Sequence, residues 1–209
     1  MQTLDEQIRL SVFAWLAEQR TILGDVLPRI LLAQGIQFEG ERIPLLGPQG
    51  IFKPRYADYP LSITTTPNSP YDDSFAPDGL LVYRYRGTDP QHADNVGLRR
   101  AMADSIPLVY FHGLVPSRYL ATWPVFIVGD DPKSLTFRVA VDDVSTTARA
   151  THDSTIGEGA MARRAYITTV VRQRLHQRSF REIVLQAYRQ QCALCRLRHN
   201  ELLDASHII

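Results

Sequence analysis

Cysteine is scarce in this sequence: only Cys192 and Cys195 occur in 209 residues. Two thiols build no disulfide framework, so the fold must be held by a packed core. Long apolar runs are missing too. None approaches the about 18 residues that predict a membrane-crossing helix. The N-terminus, "MQTLDEQIRLSVFAWLAEQ", carries acids in its first turns, where a signal peptide needs a basic start and an apolar core. Internal repeats and low-complexity tracts are absent. Lysine is absent from residues 161–209.

What is present is ordinary globular composition, 44% hydrophobic and 22% charged, with a net charge of +1. That small total hides an asymmetry. Residues 161–209 hold nine arginines against Glu182, Glu201 and Asp204, a net of +6, and residues 1–160 carry −5. A basic C-terminal piece on an acidic body points to nucleic-acid contact, although an Arg-rich solvated helix face gives the same count.

Residues 4–18 place Leu4, Ile8, Val12, Phe13, Leu16 and Ala17 near one helical face. A second helix is expected over 22–33, started or kinked by Pro28 and stopped by Gly35. "ERIPLLGPQGIFKPRY" reads as short extended pieces. From about 60 to 142 the texture turns to strand: 61–66, 79–87, 106–114, 123–131 and 135–143, with one helix near 94–104. Short strands at this spacing predict a barrel or strongly curved sheet. Residues 144–162 suit a linker. Helices follow over 161–176 and 179–191, the second opened by Ser179 and Glu182 as a capping box.

The stretch "YDDSFAPDGLLVYRYRGTDPQHADNVGLRRAM", followed by "IPLVYFHG" and "YLATWPVFIVGDD", is the most informative part of the body. Tyr83 and Tyr85 alternate on one strand face, a pattern that usually marks packing. Asp72 and Asp73 suit a turn. His92 and His112 read as surface or packed histidines, and Trp123 as a core anchor. The series as a whole resembles the SET- and RING-associated domain, a PUA-like curved β barrel that recognises modified cytosine. The matching pieces are Tyr71 with Asp72 and Asp73, Tyr85-Arg86-Gly87, Asn95 with Leu98, "PLVYFHG" at 107–113, and Tyr119. They run over about 75 residues. The resemblance implies that Tyr71 and Tyr85 stack a flipped base, with Arg86 beside them. It also implies that Asp73, with Asp72 close behind, accepts from the exocyclic amine that thymine lacks. The chain departs from the family in reading Tyr-Arg-Gly where Tyr-Thr-Gly is common, and in a short loop where the family has one that fills the gap left by the base.

"CALCRLRHNELLDASHII" resembles the opening of an HNH nuclease of the ββα-metal type. The resemblance implies that Cys192 and Cys195 are half of a structural zinc site and that His207 is the general base. A divalent ion such as Mg or Mn would serve cleavage. His199 reads as part of the intervening turn. A redox CxxC or two structural cysteines are the competing readings. The remaining ligands are not in the sequence, so this chain is expected to be inactive as a nuclease. Its cysteines are expected to be metal-free or to bind only with help from another chain.

The expected fold is therefore α+β: a PUA/SRA-like curved β barrel with an N-terminal helical region and C-terminal linker helices leading into an incomplete ββα-metal module. The expected domains are 1–45 (helical, for dimer or domain packing), 46–145 (base-reading), 146–162 (linker), 163–191 (basic helices) and 192–209 (start of the nuclease module). Arg163, Arg164, Arg172, Arg174 and Arg178 are the expected contacts to DNA phosphates. The expected function is the duplex-reading part of a 5-methylcytosine-dependent restriction endonuclease, a homodimer of the prokaryotic cytoplasm with no membrane association. The rival is a non-catalytic PUA-like reader with a structural zinc knuckle.

Overall fold

A computed structural model describes residues 2–66, 80–142, 158–199 and 202–205, with backbone only for 158–163 and 165. Helix α1 (Leu4–Leu23) opens with the capping box of Thr3 and Glu6. The Thr3 hydroxyl accepts from the Glu6 N–H at 3.2 Å, and the Thr3 N–H donates to the Glu6 carboxylate at 2.9 Å. Nothing stops the helix at residue 18, so it runs on to Gly24, whose φ of 80° only glycine adopts freely.

The helix expected over 22–33 does not form as such. Strand β1 (Val26–Pro28) comes first, and α2 (Arg29–Gln34) follows. Gly24 breaks the chain, and Pro28 holds its extended φ of −74°. Pairing of β1 with a long central strand takes residues 26–28 out of the expected helix. Gly35 does end α2. A Cβ there would lie 1.9 Å from the Ile43 carbonyl oxygen, so only glycine fits.

Strands β2 (Ile36–Phe38) and β3 (Glu41–Ile43) form a separate hairpin. The main sheet holds β4 (Ile51–Phe52), β5 (Ser62–Thr65), β6 (Leu81–Arg84), β7 (Leu108–Val115), β8 (Arg118–Asp131) and β9 (Thr136–Val141), together with β1. Its order is β4-β5-β7-β8-β9-β6, antiparallel except for the parallel pair β5–β7. β1 pairs with residues 118–120 of β8 and β9 with 125–131, so the two lie end to end beside one strand. Register shifts at Leu108/Tyr110, Gly113/Val115 and Ile127/Gly129 bend the strands. The result is an α+β fold around a curled, half-barrel mixed sheet.

Both faces of this sheet are covered, which explains why β7 reads as a nearly unbroken apolar run. Val109 and Phe111 pack with Ile8, Val12, Phe13 and Leu16 of α1. Leu108 and Tyr110, one residue out of phase, pack on the other face with Val125, Phe137 and Val139 and with Leu98 of α3 (Ala93–Ala103). The N-terminal region is thus packed into the same core as the β domain and lends it a strand.

The basic connector is one helix, α4 (Glu158–Ala187), not two. Ser179 lies inside it and caps nothing, because no glycine or proline nearby interrupts the backbone ladder. The helix starts within the expected linker, and residues 143–157 lie outside the description. α4 is docked on the sheet. Ile167 and Val171 join the core, and Leu175 is buried with Leu114 and Leu120. Thr168 is 1% exposed; its hydroxyl accepts the Val141 N–H at 2.9 Å and donates to the Arg164 carbonyl at 2.7 Å. No described helix is long and apolar enough to cross a membrane.

Candidate nucleic-acid interface

The Tyr85-Arg86-Gly87 turn leaves β6 and is held by one side chain. Asn95, on the first turn of α3, is fully buried. Its oxygen accepts the Arg86 N–H at 2.9 Å, and its nitrogen donates to the Arg86 carbonyl at 3.1 Å and the Asp89 carbonyl at 2.9 Å. That satisfies a loop which lacks strand partners. Gly87 completes the turn at φ 64°. Leu98, three residues on and so on the same helix face, is buried in the core. The Asn-x-x-Leu spacing therefore pins the turn with one residue and anchors the helix with the other. Arg86 pairs with Asp94, and His92 caps α3 by accepting the Asp94 N–H at 3.2 Å.

Tyr85 is 4% exposed, and its ring is already stacked. Phe137 lies at 4.5 Å between centroids, and the Arg99 guanidinium lies over the ring at 5.6 Å. The Tyr85 hydroxyl donates to Asp130, and Arg99 donates from Nε to the same carboxylate at 2.8 Å and to the Pro90 carbonyl. Burial, then the bond to Asp130, pushes the Tyr85 phenol above its ordinary pKa. A base stacking on Tyr85 has to displace Arg99. Arg99 and Asp130 carried no sequence signal. They stand 31 residues apart, on α3 and at the end of β8, and only the fold brings them together.

A second polar group lies under α4. Thr65 and His112 are register partners in the β5–β7 pair. The Thr65 hydroxyl meets the Tyr110 hydroxyl at 3.0 Å, which meets His112 Nδ1 at 2.9 Å. Burial, and then His176 nearby on α4, lowers the His112 pKa to about 4, so the ring is neutral at ordinary pH. His112 is thus a packed histidine, and Trp123 is a core residue with Arg20 over its ring at 4.9 Å.

The arginines of α4 divide. Arg174 is exposed. Arg164 is engaged with Asp142 at 2.9 Å and lies over the Phe126 ring at 4.8 Å. Arg178 pairs with Asp25 at 2.9 Å, Arg172 is half-buried, and the side chain of Arg163 lies outside the description. Arg164 and Arg178, expected as phosphate contacts, therefore already hold an acid.

After α4 the chain turns tightly at the CxxC. The Cys192 N–H donates to the Leu197 carbonyl at 2.8 Å, and the Arg196 N–H to the Cys192 carbonyl at 3.1 Å, with Arg196 at φ 64°. The backbone N–H groups of Cys195 and Leu194, then the Cys195 thiol, point at the Cys192 sulfur and lower its pKa. Two such sulfurs fit half of a tetrahedral zinc site, and N–H donors aimed at a thiolate suit it as a ligand. Among the described residues no group of three or more His, Cys, Asp or Glu could hold a metal. Tyr71, Asp72, Asp73 and His207 lie outside the described residues. No protein-family model, no curated protein and no solved structure matches this chain.

Proposed function

We propose that this chain is the DNA-reading part of a modified-cytosine-dependent restriction endonuclease, built on a PUA/SRA-like barrel. The observation that carries the reading is the Asn95 clamp. It joins Tyr85-Arg86-Gly87 and Asn-x-x-Leu, two of the pieces on which the resemblance rests, into one rim beside the Asp130 carboxylate. A flipped base costs a few kcal/mol of unstacking, which aromatic stacking and hydrogen bonds to the base edge offset. The resemblance adds Tyr71 and Asp73 to the base-reading residues, and exposed arginines such as Arg174 add salt-dependent affinity. Cys192 and Cys195 hold zinc together with ligands outside the described residues, and His207 serves as the general base of the nuclease module. Two-strand cleavage favours a homodimer.

The test is fluorescence-anisotropy titration of duplexes carrying cytosine, 5-methylcytosine or 5-hydroxymethylcytosine, each at two salt concentrations. Preference for one modified duplex at both is expected, with affinity for all falling as salt rises. Equal affinity for all three overturns the reading. The rival, a non-catalytic reader with a structural zinc knuckle, draws on the tight CxxC turn alone. It would show salt-dependent binding, one zinc per chain and no preference among the duplexes.

A further inference from the structure

We propose that Arg99 is the resident occupant of a binding site for a flat, amine-bearing ring, and that Asp130 is that site's specificity-determining carboxylate. A guanidinium is planar and carries only donors. What receives it here is an aromatic ring, Tyr85, with acceptors around the rim. Asp130 takes Nε at 2.8 Å, the Pro90 carbonyl takes one Nη2 hydrogen, and the Tyr85 oxygen stands 3.5 Å from the same nitrogen. The one hydroxyl proton in the set is already given to Asp130. Among the described residues the site therefore offers a stacking surface and hydrogen-bond acceptors, and no free donor.

An aminopyrimidine makes the matching demand. Its ring stacks, and its exocyclic amine has two hydrogens, one for the Asp130 carboxylate, which takes the part that the resemblance gives to Asp73, and one for the Pro90 carbonyl. Thymine presents a carbonyl at that position and would set one acceptor against another, leaving both without a donor. Burial grades in the right direction for exchange. Tyr85 is 4% exposed, the Asp130 side chain 13% and the Arg99 side chain 24%, so Arg99 is the outermost of the three. It stands on α3 at the end of a long flexible stem, while the Tyr85 hydroxyl keeps Asp130 in place when the guanidinium leaves. Departure of Arg99 alone strands a half-buried carboxylate, so exit of the arginine and entry of the ring are coupled. The inference rests on the base-reading proposal for its ligand, cytosine. The geometry itself requires only a planar amine donor.

The experiment measures binding of 2′-deoxycytidine and thymidine to the full chain by ligand-observed NMR or calorimetry. R99A removes the occupant and should bind deoxycytidine at least about tenfold more tightly than the parent chain, with no gain for thymidine. Methylguanidinium should compete in R99A, and R99A/D130N should lose the gain. A folded R99A, judged by circular dichroism, that shows no gain or gains equally for thymidine overturns the proposal. If R99A does not fold, R99K replaces the flat fork by a single compact ammonium. It should show a smaller gain in the same direction, and none overturns the proposal. The two readings fail separately. A chain that ignores duplex modification while R99A takes up deoxycytidine sinks the base reader and leaves this site standing. A chain that prefers a modified duplex while R99A gains nothing sinks this site alone.

Discussion

His112 is neutral because β7 and α4 enclose it, and that makes it an acid-sensitive point in the fold. Its pKa falls from 6.5 to about 4 on folding. The folded state therefore binds its proton more weakly than the unfolded state. Stability from this group is complete above about pH 6.5, declines as pH falls through the window to about 4, and then levels off. Between about pH 7.5 and about pH 4.5 the loss should be about 2.5 kcal/mol. His112→Gln keeps a partner for the Tyr110 hydroxyl and does not titrate. Urea unfolding of both proteins at the two pH values checks this. The parent should lose about 2.5 kcal/mol more than the variant, and equal losses would show that His112 does not sense acid. Single residues were legible in the sequence where their partners were local. Asn95 and Leu98 stood out through the resemblance alone, and the structure gives the reason for their spacing, a turn and a helix that meet within ten residues. Tyr83 and Tyr85 fitted both a packed stripe and a pocket, and they lie in the core. Asp130 was invisible because its partners arrive from α3 and β6.

Elements were legible when their stop signals were unambiguous. Helix α3 and strands β5, β7 and β9 fall close to their expected positions. β8 starts earlier than expected, at Arg118, because Pro116-Ser117 makes a two-residue turn in which Ser117 takes a φ of 65° that glycine usually supplies. The Ser179-x-x-Glu182 pattern misled in the opposite way. It marks a helix start only if the helix before it ends, and here docking of Leu175 and Leu185 on either side carries α4 straight through. The two architectures predict opposite signs for Ser179→Ala. At an N-cap the change costs about 1 kcal/mol. Inside a continuous helix alanine is the better former, and the change should stabilise by about 0.5 kcal/mol. The denaturant midpoint reads the sign directly, and a destabilised variant would restore the two-helix connector.

At the scale of the whole molecule, the apolar packing of the N-terminal helix on the β sheet is reinforced by a buried ion pair. Arg9 and Asp5 have side chains only 4% and 6% exposed. Arg9 spends all five N–H donors: two on Asp5 at 2.5 and 3.1 Å, and one each on the carbonyls of Pro60, Pro107 and Tyr59. Asp5 in turn accepts the Asp58 N–H at 3.0 Å. One side-chain pair thus gathers α1, the loop entering β5 and the loop entering β7, which are far apart in sequence. A composition-based boundary near residue 45 could not show this, because the carbonyl partners are backbone groups. Removing one partner leaves an uncompensated buried charge, so Arg9→Met should cost about 3–5 kcal/mol. That is a large share of the about 5–15 kcal/mol that holds a domain together. Asp5→Asn added to Arg9→Met removes the orphaned charge and keeps an acceptor for the Asp58 N–H, so the double variant should be the more stable of the two. Urea unfolding followed by both Trp fluorescence and far-ultraviolet circular dichroism decides the matter. With α1 packed into the common core, the two probes should move together in every variant. If Arg9→Met shifts the signal of α1 alone while the sheet unfolds at the parent midpoint, then residues 1–45 are a separable unit.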